Sequence, residues 1–204
     1  MFRKTLLSAA TLAAMMSTVP AFATTIPTTD AGHGTIEFTG SVIDAPCSIP
    51  QDSQNIKVDL GQVSAKSLAT ASNASSLVPV TINLTGCSFD APTGQDTVVK
   101  YSKVAVTFPD APAPETSDGT LTNGEIKNMV TDSSGAKKVA IQLLKSDAST
   151  PVDLTKTSPT DGDIQLDTSS AINKLQFYAR MISVAGGATP GDVKATITYK
   201  LHYF

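Results

Sequence analysis

Short apolar–polar alternations between turn residues, almost no helical periodicity, and strand-like patterns near both ends predict an all-β sandwich for this 204-residue chain. Residues 35–43 are rich in β-branched and aromatic side chains and stop at Ala45-Pro46. Residues 56–60 alternate up to Gly61, and residues 78–84 alternate up to Gly86-Cys87. Residues 98–108 alternate through Val104, Val106 and Phe108 before Pro109. Residues 139–144 form an apolar run after the turn at Asp132-Ser133-Ser134-Gly135, and residues 175–184 form another, closed by Gly186-Gly187. Residues 62–68 carry enough helical pattern for a single turn. Residues 110–119, with Pro112 and Pro114, and residues 146–162, with Pro151 and Pro159, read as exposed loops.

The two ends are the most informative part. Val193, Ala195, Ile197, Tyr199, Leu201 and Tyr203 fall on one face of a final strand, with Thr196, Thr198, Lys200 and His202 on the other. That strand has no hairpin mate beyond it. Gly32, Gly34, Ile36 and Phe38 keep the same period of two near the amino terminus. Such a chain is suited to lend one strand to a neighbour and to borrow another.

Residues 1–23 read as a signal peptide. Arg3 and Lys4 precede a largely apolar stretch over residues 6–19, and Ala21-Phe22-Ala23 offers the small-x-small cleavage pattern. Removing them leaves 181 of 204 residues, enough for one domain, and moves the formal net charge from −3 to −5. An acidic exported chain is a poor partner for nucleic acid or anionic membrane. Two cysteines, Cys47 and Cys87, in an oxidising compartment predict a disulfide. Without a Cys-x-x-Cys pair, neither a redox centre nor a zinc cluster is indicated.

Catalytic signals are missing. His33 sits in a Gly-rich segment and His202 on the outward face of the last strand, and neither belongs to a metal-ligand spacing. No Gly-x-Ser-x-Gly elbow occurs, Gly32-His33-Gly34 is not completed into a nucleotide fingerprint, and Asp161 with Asp163 falls short of a calcium loop. Neither an enzyme, a metal site, a cofactor nor a small-molecule substrate is expected, and a secreted β-sandwich hydrolase is the disfavoured alternative. The expected work is contact.

The run from Gly34 through Thr35-Ile36-Glu37-Phe38-Thr39-Gly40 to Cys47-Ser48-Ile49 resembles the opening of the pilins of the chaperone–usher family of Gram-negative bacteria, G-x-h-x-F-x-G-x-h-h-x-x-x-C, where h is apolar. Cys87 after Leu84-Thr85-Gly86, the strand 139–144, Leu175-Gln176-Phe177-Tyr178-Ala179-Arg180 with Ala188-Thr189-Pro190-Gly191, and the last strand with penultimate Tyr203 follow in the family's order. The whole is most similar to a major shaft subunit of the type 1 or P kind.

The resemblance implies an incomplete immunoglobulin-like sandwich that lacks its final strand and is completed by donor-strand complementation. Residues 24–40 would be the donated extension and residues 41–204 the pilin domain. Gly32, Gly34, Ile36 and Phe38 would belong to the donor strand. Val193, Ile197, Tyr199, Leu201 and Tyr203 would form the groove edge that meets a periplasmic chaperone. Implied partners are neighbouring subunits of the same kind, that chaperone and an outer-membrane usher. The implied destination is a surface fimbria used in cell adhesion. A minor adaptor pilin is the alternative within the family, and a two-domain tip adhesin would need a lectin domain for which 181 residues leave no room.

Overall fold

A computed structural model describes residues 34–89, 101–114 and 119–204. Seven strands among the described residues form two antiparallel sheets, as the alternations predict. One sheet holds β1 (Val78–Thr85), β6 (Ile172–Ser183), β4 (Val139–Leu144) and β3 (Glu125–Lys127), in that spatial order. The other holds β5 (Ile164–Gln165), β2 (Lys103–Thr107) and β7 (Lys200–Tyr203). The chain divides into a unit up to Val42 and a unit from Ile43 to Phe204, and the sandwich belongs to the second.

The central strand β6 shows how the pattern becomes a layer. Asn173, Leu175, Phe177, Ala179 and Met181 alternate inward, while Lys174, Gln176, Tyr178 and Arg180 turn outward. It pairs with β1 on one side, Ile82 opposite Leu175, and with β4 on the other, Ile141 opposite Met181. Pro79 fits within β1 because that strand lies at the edge of its sheet. Strand β4 reads as an apolar run because both its faces are covered. On its outer face Ala140 and Leu144 are buried together with Gln142, whose amide donates to the Asn123 carbonyl at 2.9 Å.

Ile82, Leu84, Val104, Leu143, Leu175 and Phe177 form the main core between the sheets. The Cys47–Cys87 disulfide borders it, as the cysteine count predicts. Aspartates make the loops. Asp132, Asp147, Asp153 and Asp167 each accept hydrogen bonds from a Ser or Thr two or three residues on. Those bonds hold all four carboxyls below the ordinary range, Asp147 down to about 2.

Several elements differ from expectation. Residues 35–43 form no strand within the chain, and residues 56–60 and 193–199 run without a ladder partner, so neither is a strand here. Strands β3 and β5 were too short to carry a sequence period. The α-helical turn lies at Gln51–Gln54, behind Pro50, while residues 62–68 give only hydrogen-bonded turns.

Candidate functional site: an apolar groove with an open strand edge

The missing ladder partners have a common location. Residues 55–63 and 193–199 both border an open groove of about 1700 Å³. Its floor is core. Val80 and Ile82 from β1, Phe177 and Met181 from β6, and Ile141 and Leu143 from β4 all reach it. Phe108 meets Phe177 edge to face there, with ring centroids 6.1 Å apart and planes at 85°. Ile56, Leu60 and Val63 line it from one bordering segment, and Val193, Ala195, Ile197 and Tyr199 from the other. Apolar surface of this kind and extent is expensive to leave in water.

The backbone beside the groove is as unfinished as its side chains. Lys103 and Phe204 exchange both peptide hydrogen bonds, at 3.0 and 2.9 Å, which fixes the parity of the β2–β7 ladder. Even-numbered residues therefore bond inward to β2, and odd-numbered ones turn their N–H and C=O groups to the free edge of the sheet. The same parity continues upstream. The Lys194, Thr196 and Thr198 N–H groups all find acceptors, whereas no hydrogen bond reaches the peptide groups of Val193, Ala195 or Ile197 among the described residues. Along residues 55–63 the one such hydrogen bond among the described residues is a local turn, Gly61 N–H to the Asp59 carboxylate. An extended segment seven residues long, roughly 23 Å at strand rise, would satisfy both the free edge and the apolar floor.

Two tyrosines mark the lower part of this edge, Tyr199 just before β7 and Tyr203 at its end. Tyr199 donates to the Ser53 carbonyl at 2.7 Å, and burial pushes its phenol above the ordinary value. Burial, assisted by Tyr199, pushes Tyr203 up to about 12. The Tyr203 ring meets Tyr101 at 6.1 Å, yet its buried hydroxyl has no hydrogen-bond partner among the described residues.

Val193, Ile197 and Tyr199 thus line the groove, while Leu201 and Tyr203 pack against the main core and contribute their peptide edge instead. Gly32 and the leader lie outside the described residues. Gly34, Ile36 and Phe38 belong to the unit up to Val42 and are exposed. Ile36 is 77 % and Phe38 89 % exposed, and a side chain added at Gly34 would meet nothing within 4 Å. Sequence reasoning missed the second bordering segment as part of a site, although the alternation of Ile56, Val58 and Leu60 announced an extended stretch. It also missed Asn128 and Asp110, whose side-chain oxygens accept the Lys194 and Thr198 N–H groups and which carry no periodic signal. His202 contacts Thr107 at 3.0 Å, and no cluster among the described residues could hold a metal ion.

A family model described as fimbrial protein matches residues 36–203. The chain is 36 % identical to an F17 fimbrial protein of Escherichia coli over 170 residues, 83 % of this chain and 87 % of that one. It is 34 % identical to the major MR/P fimbria protein of Proteus mirabilis strain HI4320, covering 85 % and 86 % of the two chains. Among solved structures it is similar to a subunit of a chaperone–usher pilus studied for rod uncoiling, with a TM-score of 0.61, 27 % identity and coverage of 88 % of this chain and 100 % of that one. The P pilus rod subunit PapA gives a TM-score of 0.53 at 25 % identity, covering 78 % and 100 %. The two-sheet architecture is accordingly the immunoglobulin-like pilin fold, and the chain belongs to the fimbrial protein family, the structural subunits of surface pili.

Proposed function

We propose that this chain is a shaft subunit that polymerises by donor-strand exchange, its residues 24–40 filling the groove of a neighbouring copy. The observation that carries the reading is a pair of complementary deficits in one sequence. An apolar groove stands open beside unpaired peptide groups, and an alternating segment with Ile36 and Phe38 leaves its apolar side chains in solvent. Inserting the segment would bury each of those side chains for about 1.5–3 kcal/mol and would pair the odd-numbered edge of residues 193–199. Until a neighbour arrives, a periplasmic chaperone lends the strand, and an outer-membrane usher presents the subunits for exchange. The exchange needs no catalyst or nucleotide, because the better-packed donor displaces the poorer one, and the chain itself catalyses nothing. The similarity to a major fimbria protein and to a rod subunit favours the shaft over an adaptor position.

Deleting residues 24–38 tests this directly. The truncated subunit should accumulate in the periplasm bound to its chaperone and stay out of the fibre, and normal pili built from it would refute the proposal. Quantifying the full-length chain in sheared surface fibres separates a shaft subunit, abundant there, from an adaptor present in a few copies.

A further inference from the structure

Strand β2 ends where Thr107 faces Lys200, and continuing that register would bring Phe108 opposite Tyr199 and then, as the next hydrogen-bonded pair, Pro109 opposite Thr198. Proline has no N–H to give, so the backbone ladder stops there. The other half of that pair, the Thr198 N–H, goes instead to the side chain of the next residue, Asp110. The Asp110 carboxylate accepts the Thr198 N–H through Oδ1 at 2.7 Å and the Thr198 hydroxyl through Oδ2 at 2.7 Å. These two bonds, with some help from the Lys200 charge, hold the carboxyl below its ordinary range.

Further up, the inner edge of the same segment is again held mostly by side chains. Lys194 N–H goes to Asn128 Oδ1 at 3.0 Å and Thr196 N–H to Met129 Sδ at 3.4 Å, while one backbone bond, Met129 N–H to Lys194 O, completes the row. Asn128 is buried and also serves Val130, Ala136 and Asp192, so it is built into the fold. Asp110 is exposed and bonds the segment at a single residue.

We infer that Asp110 is a positioning residue for donor-strand uptake. Its two-pronged bond to Thr198 carries the β2–β7 pairing past Pro109. It thereby holds residues 193–199 in the plane of the sheet, with the Ala195 and Ile197 peptide groups aimed at the groove. A strand can be added only to an edge whose N–H and C=O groups are already in ladder register. A loosened Thr198 lets the segment twist, and the incoming strand must then order it. This rests on the donor-strand reading above and adds to it the residue that prepares the edge.

The test uses the full mature chain refolded with a labelled synthetic peptide of its own residues 24–40, with the rate of peptide loss as the readout. Asp110→Ala should release the peptide about tenfold faster, as expected for losing hydrogen bonds to a charged acceptor. Thr198→Val should have a smaller effect that disappears in the Asp110→Ala background, because both act through one contact. Asp110→Asn should restore a near-wild-type rate, since its amide oxygen can accept the N–H while its NH₂ donates to the threonine hydroxyl. Release from Asp110→Ala at the wild-type rate, additive effects of the two changes, or failure of Asp110→Asn to rescue would each overturn the inference. A wild-type chain that neither captures the peptide nor forms multimers through its own residues 24–40 would instead bring down the donor-strand reading itself.

Discussion

The Tyr199 hydroxyl reaches the carbonyl of Ser53 at 2.7 Å, while the Ser53 hydroxyl accepts the Asn83 N–H at 2.9 Å. One buried serine therefore joins the groove-edge segment to β1 across the helical turn. Replacing Tyr199 by Phe leaves the Ser53 carbonyl without that donor and should cost about 1–2 kcal/mol. Urea unfolding of the peptide-complemented subunit measures it, and an unchanged midpoint would show that the contact is not holding the edge.

Tyr203 should behave oppositely, because its buried hydroxyl has no partner to lose. Tyr203→Phe removes an unsatisfied polar group and should be neutral or stabilising by about 1 kcal/mol. The alkaline limb reports the same group. The folded-state pKa of about 12 lies above the ordinary tyrosine value of 10.0, so its contribution is complete below pH 10 and is lost as pH climbs towards 12. Wild type should thus lose stability across that window, and Tyr203→Phe should flatten the decline. Identical pH profiles for the two chains would contradict the assignment.

These tyrosines show how much of the site the sequence could reveal. Period-two alternation placed Val193, Ile197 and Tyr199 on one face, and the structure lines the groove with them. It placed Leu201 and Tyr203 on the same face, and periodicity does not report where along a strand the neighbouring sheet begins to cover that face. The β1, β4 and β6 cores were legible for the same reason. Strand β3 was not, since three residues hold barely one period, and Glu125, buried with its carboxyl pushed up by that burial, reads as a surface residue. The Asp110–Thr198 contact spans 88 residues and gives the Thr198 N–H an acceptor where the backbone ladder stops at Pro109, which is visible only once the register is known.

The disulfide closes a separation of 40 residues and sits beside the main core. Replacing Cys47 and Cys87 together by Ala should destabilise the subunit by about 3–4 kcal/mol, mostly by freeing the unfolded chain. Export assays under oxidising conditions should then show reduced periplasmic accumulation. Wild-type accumulation together with an unchanged unfolding midpoint would sink this expectation.

Gly191 opens the groove-edge segment at φ 153°, where an added Cβ would run into the Ala136 nitrogen and the Gly135 carbonyl carbon. Both obstacles are backbone, and the Asp192 hydrogen bonds to Ser134 and Ala136 keep them close. Gly191→Ala should therefore push residues 191–193 outward and cost about 2–3 kcal/mol, within the range for strained backbone sites. Faster amide exchange at Asp192 and Ala136 than in wild type is the expected signature, and unaltered protection would argue that the turn yields freely.

Gly34 and Phe38 separate folding from assembly. A side chain at Gly34 meets nothing within 4 Å and Phe38 is 89 % exposed, so neither Gly34→Leu nor Phe38→Ala should lower the stability of the subunit that carries it. In polymerisation the two should diverge. Gly34→Leu forces a bulky group into a position where the proposed donor strand presents none, and should slow the exchange. Phe38→Ala should leave a void in the neighbour's groove, weakening each junction by about 3–5 kcal/mol. The measurement is the denaturant concentration at which fibres fall to monomers, alongside the rate of fibre growth. Growth and resistance equal to wild type in both variants would mean that residues 24–40 are not what fills the groove.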